Sequence, residues 1–139
     1  MSVEFENGLY PASDTTTDMN GSEVKDVLYK KESLGITSWR FYFNEICKIV
    51  YNIDSEKFSK IVTDNIIHKS SSKAKNSQKD PIISSKPELL VDAKKIGNTD
   101  FYSEGSLSSA RARFYAKQLL DMYRITEEVE ILVEKREDE

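Results

Sequence analysis

Few residues in this chain carry chemistry that a side chain performs by itself. Cys47 and His68 are the only residues of their types. Nucleophilic catalysis needs a base that activates the nucleophile and a third group that orients the base. Cys47 lies within an apolar helical stretch, where a thiol behaves as a small hydrophobe with a raised pKa. His68 falls at an expected helix end beside a polar segment, the place of a capping or surface residue. One Cys and one His do not make a zinc site of nitrogen and sulfur ligands. No two carboxylates share an apolar setting that would drive their pKa values apart. The five glycines are scattered and form no phosphate-cradling run. These absences predict a non-enzymatic protein without metal or cofactor.

Cations are the groups that remain. Arg113, Lys117 and Arg124 are expected on one exposed side of a long helix over 106–124, with Arg111 at its edge. That spacing suits successive phosphates or an acidic protein surface. Lys69, Lys73, Lys75 and Lys79 make a second basic stretch, a flexible arm in this reading, and Tyr102 or Tyr115 is available for base stacking. Two features oppose nucleic acid. Asp121 stands four residues after Lys117 and is placed to pair with it, and the chain has a formal net charge of -4. The first 22 residues hold four of the acidic residues and no Lys or Arg, so the rest is balanced. The end, from Glu127 to Glu139, is acidic again and is a candidate second contact. A helix-turn-helix is a weaker possibility, with Lys57, Lys60, Asp64 and Asn65 on the second helix.

The elements that position these groups follow from periodicity. Residues 38–51, SWRFYFNEICKIVY, are apolar around most of a helical circumference, with Arg40, Asn44 and Lys48 as the polar line expected to reach water. Such a helix is buried on several sides. Thr37 or Ser38 is its N-cap. Asp54 or Ser55 opens a second, one-sided helix on Phe58, Ile61, Val62 and Ile66. Residues 23–32 fit a helix through Val24, Val27 and Leu28, or a strand through Val27 to Tyr29. Residues 1–22 are expected to be a mostly irregular acidic tail anchored by Phe5, Leu9 and Tyr10. Residues 69–87 read as a basic polar loop. ELLVDA (88–93) and TDFYS (99–103) read as a hairpin around Gly97-Asn98. In the long helix Ala112, Tyr115, Ala116, Leu119 and Tyr123 face the core. Val129, Ile131 and Val133 alternate as a strand.

The expected architecture is α+β: an N-terminal helical pair packed against a C-terminal β-hairpin–helix–strand unit, as one domain over 23–139. The expected function is a small intracellular binding protein (a regulator, inhibitor, complex subunit or mobile-element accessory protein) that acts through a protein–protein surface. A nucleic-acid-binding module using the basic helix face and the Lys-rich loop is the alternative. The single cysteine, the lack of an apolar run of membrane-spanning length and the lack of a signal-peptide pattern suggest the cytoplasm, or the nucleus in a eukaryote. Another protein is the expected partner, with self-association open and no membrane contact.

Overall fold

The computed structural model describes residues 6–69 and 80–135. It is an α+β fold, with three helices and seven short strands among the described residues. The strands are β1 (Gly8–Pro11), β2 (Ser22–Tyr29), β3 (Glu32–Ser33), β4 (Ile83–Ser84), β5 (Ala93–Lys95), β6 (Tyr102–Glu104) and β7 (Val129–Lys135). The helices are α1 (Trp39–Ile53), α2 (Ser55–Thr63) and α3 (Ser109–Tyr123). Two antiparallel sheets form, ordered β1-β7-β2-β3 and β4-β6-β5.

Helix α1 begins where the Ser38 hydroxyl accepts from Phe41 N–H, an ordinary N-cap. It stops at Asp54, whose carboxylate accepts from Lys57 N–H and caps α2 without an intervening loop. Tyr42, Phe43, Ile46, Cys47 and Val50 of α1 are essentially inaccessible. The helix packs on α2, α3, β2 and β6, which accounts for its nearly all-round apolarity. Tyr51, Phe58 and Phe101 close the lower core edge to face, with centroids 5.3 to 6.2 Å apart, each pair adding about 0.5–1.5 kcal/mol beyond burial.

Residues 23–29 resolve as strand, and Lys30 and Lys31 turn the chain into β3. Val24 and Val27 both face the core although they are three apart, because the register with β7 shifts between Val24 and Asp26. The extra residue, Lys25, forms a β-bulge, and a bulge turns a period of two into a local spacing of three. The same strand changes the expected arrangement. Strand β7 pairs with β1 and β2 from the N-terminal part, not with the β5–β6 hairpin.

Two stretches expected to be irregular carry structure. Residues 8–11 form β1, with Leu9 opposite Leu132 and Tyr10 opposite Ile131. Within 69–87, Ile82 and Ile83 are buried and β4 pairs with β6. The hairpin is shorter than predicted: Pro87–Leu89 is a 3₁₀ turn, and pairing starts only at Ala93. Helix α2 ends at Thr63, so Ile66 lies beyond it and is exposed. His68 pairs as an isolated bridge with Pro81, and its Nδ1 is 2.7 Å from Asn65 O, closing a turn.

Candidate functional site

Arg113 is a correction. It was expected among exposed cations, but only 2% of it is exposed. On a helix it shares its side with Ala116 and Leu120, both buried, rather than with the outer face. Its guanidinium donates from Nη1 to Thr17 O at 2.7 Å and from Nη2 to Asp14 O at 2.8 Å, with Asp14 Oδ1 at 3.5 Å. It therefore pins the loop between β1 and β2. Burial raises the Asp14 carboxyl, but bonds from the Thr17 hydroxyl and the Thr17 and Thr16 amides, and the Arg113 charge, hold it below the ordinary aspartate range.

The outer face of α3 keeps Arg111 and Lys117, with Phe114 between them, half exposed. Lys117 Nζ sits 2.8 Å from Asp121 Oδ2, so part of this positive charge is compensated. Arg124 is exposed in a left-handed conformation just past the helix, apart from that face. Lys69 lies with its Nζ 3.8 Å from Glu104 Oε1. Lys73, Lys75 and Lys79 fall outside the described residues, as do Phe5 and the last four residues of the acidic end. Tyr115 is buried against Phe114 and is not a stacking platform. Cys47 is wholly buried, and burial pushes its thiol well up. Among the described residues no group of three or more His, Cys, Asp or Glu is placed to hold a metal ion.

A different surface is built with more care, where the N-terminal turn of α1 meets the segment leading into β5. Its foundation is Glu104, whose side chain is fully buried. Oε1 accepts from Val91 N–H at 2.9 Å. Oε2 accepts from Asp92 N–H at 2.9 Å, and from the Ser106 amide and hydroxyl at 3.2 and 2.8 Å. Burial alone would raise this carboxyl. The four donors outweigh it and leave the group below the ordinary glutamate range. Beside it, Gly105 N–H donates to Asp92 O at 2.7 Å. A Cβ on Gly105 would stand 2.8 Å from Asp92 Oδ2 and 2.9 Å from Lys94 Cγ, so a side chain here would have to displace both.

The loop so held buries Leu90 and turns its neighbours outward. Val91 is 77% exposed and Leu89 54%. Asp92 then reaches α1, with Arg40 Nε 3.9 Å and Lys94 Nζ 3.4 Å from its carboxylate. Lys94 Nζ also lies 5.9 Å from the centre of the half-exposed Phe41 ring. Asn44, expected in water, is buried instead. Its amide donates to Lys94 O, Lys95 O and Ser103 Oγ at 3.3, 3.1 and 2.9 Å, and thereby fixes β5 to α1.

Sequence reasoning missed this surface. It placed Phe41 on the buried circumference of α1 and took 88–93 as one strand of a hairpin. One signal was present: Pro87 disfavours a ladder, since it donates no hydrogen bond. The chain matches no family model, no curated protein and no solved structure at a significant level.

Proposed function

We propose that this chain is a small non-enzymatic binding protein, a regulator, inhibitor or complex subunit, that engages another protein through the surface around Phe41 and Val91. One observation carries the reading: among the described residues Val91 is the most exposed of the large apolar side chains, and a buried carboxylate fixes the backbone that presents it. A side chain that is merely tolerated at the surface needs no such support. An apolar group held outward before binding loses little conformational entropy on docking, and interfaces draw their affinity from a few such anchors.

Photocrosslinking tests the reading. With p-benzoylphenylalanine in place of Val91, ultraviolet irradiation in cells of the native source should give a discrete heavier product. Val91→Asp placed beside a crosslinker at Leu89 should abolish it. A diffuse ladder unaffected by Val91→Asp would refute the surface.

A second reading rests on the α3 face, where exposed Phe114 stands between Arg111 and Lys117. An aromatic ring flanked by cations suits single-stranded nucleic acid. Filter binding to single-stranded oligonucleotides at low and moderate salt checks it, because phosphate-driven binding falls steeply with salt. No retention at low salt removes it.

A further inference from the structure

The charges around the Phe41–Val91 surface are unequal, and they narrow the chemistry of what it receives. Two exposed or half-exposed cations, Arg40 and Lys94, share one carboxylate, Asp92, at 3.9 and 3.4 Å. Neither contact is a close, bidentate pair, so both cations retain donors that Asp92 does not take up. Exposed Glu88 at the start of the loop stands two residues from exposed Lys86, and the remaining carboxylate, Glu104, is saturated by four hydrogen bonds and closed to solvent. It offers no acceptor to a visitor. Lys69, which approaches Glu104 Oε1, brings a third cation to the same loop. The apolar groups thus stand among one more cation than carboxylate, Arg40, Lys69, Lys86 and Lys94 against Glu88, Asp92 and Glu104, in a chain whose formal net charge is negative.

We propose, resting on the protein-binding reading above, that the occupant is an acidic peptide segment carrying an apolar or aromatic anchor. The anchor packs on Phe41 and Val91. Its flanking carboxylates pair with Arg40 and Lys94, taking the place of the loosely held Asp92. The order of events follows from charge range: opposite charge steers the encounter, and apolar contact on a loop already held in shape sets the lifetime. Basic partners are disfavoured, because a cation approaching Asp92 meets the two cations that flank it. Lys94 has a second part in this geometry. Its amine lies over the Phe41 ring, and an incoming carboxylate draws it off the ring and frees the face for the anchor.

Selection from a randomised dodecapeptide library on the intact chain tests the proposal. Selected peptides are expected to combine Asp or Glu with Leu, Ile, Phe or Trp. Fluorescence anisotropy of the best peptide should show binding weakened about tenfold or more by Arg40→Glu with Lys94→Glu, and by Val91→Asp. Arg40→Gln with Lys94→Gln, milder changes at exposed positions, should weaken it less in the same direction. Circular dichroism of each variant guards against misfolding. Patch-dependent peptides that are neutral or basic, and that ignore the Arg40 and Lys94 changes, would overturn the acidic-partner proposal while leaving the protein-binding surface standing. Selection that yields no peptide sensitive to Val91→Asp would overturn both. Displacement of the peptide by oligothymidylate, with tighter Arg40- and Lys94-dependent binding of that probe, would assign the surface to nucleic acid and overturn the proposal.

Discussion

Replacing Glu104 by Gln isolates the support of the candidate surface, because it alters one atom and little volume. The glutamine offers one acceptor oxygen. Directed at the Oε2 position, it keeps the donors of Asp92 and Ser106. Its NH₂ then faces Val91 N–H, which stood 2.9 Å from Oε1, and the Lys69 amine beyond. One buried N–H left unpaired costs about 1–3 kcal/mol, and the surviving bonds lose their charge assistance, roughly half their strength. The sum is a loss of about 2–4 kcal/mol out of a typical ~5–15 kcal/mol, so the variant should still fold. Urea unfolding at neutral pH should show this loss. The pH dependence gives a stricter check. The Glu104 carboxyl is held below its ordinary value when folded. Its stabilisation is therefore complete above about pH 4.3 and disappears as pH falls through the folded value. A protonated glutamate resembles glutamine, so the gap between the two proteins should close in acid. Amide exchange at Val91 and Asp92 should quicken about tenfold for each 1.4 kcal/mol lost from this loop. Equal urea midpoints at neutral pH, or a gap that persists undiminished in acid, would refute the anchoring role.

Other substitutions separate structural from exposed polar groups. Asn44→Ala removes three hydrogen bonds to β5 and β6 and should cost about 2 kcal/mol by urea unfolding, with exchange rising at Lys94 and Lys95. Arg113→Ala should cost about 3–5 kcal/mol, because it strips a buried cation from Asp14 and the carbonyls it holds. Lys117→Ala, which breaks only an exposed pair with Asp121, should cost under about 1 kcal/mol. Cys47, buried with a raised pKa, should resist a disulfide-exchange reagent in the folded protein and react at once in denaturant; rapid labelling of the folded protein would show the helix packing to be wrong.

The residues that the sequence made legible are those whose surroundings are averaged over many neighbours. Helix α1 and its Ser38 cap, the Asp54 junction and the alternation of Val129, Ile131 and Val133 all follow from period and propensity, and α+β follows from them. The failures have local causes. A single bulged residue, Lys25, gave a strand the spacing of a helix. Arg113 and Asn44 looked like surface residues because polar type is a proxy for exposure, and the proxy fails when backbone carbonyls on another element satisfy the group. The candidate site fails by the same logic in reverse. Phe41 looked like core because apolar type is a proxy for burial, and Val91 passed as an ordinary strand residue. Their exposure is decided elsewhere, by a carboxylate thirteen positions away from Val91 and by the turn that starts at Pro87. Burial of a charge at Glu104 and exposure of an apolar group at Val91 are two sides of one hydrogen bond. Each would be costly as an isolated defect. Joined, the buried charge is satisfied by the loop, and the loop is held by the charge in the one shape that turns its valine outward. That pairing of costs is the strongest physical reason to propose function at this end of α1 rather than on the basic face of α3, where Lys117 already pairs with Asp121.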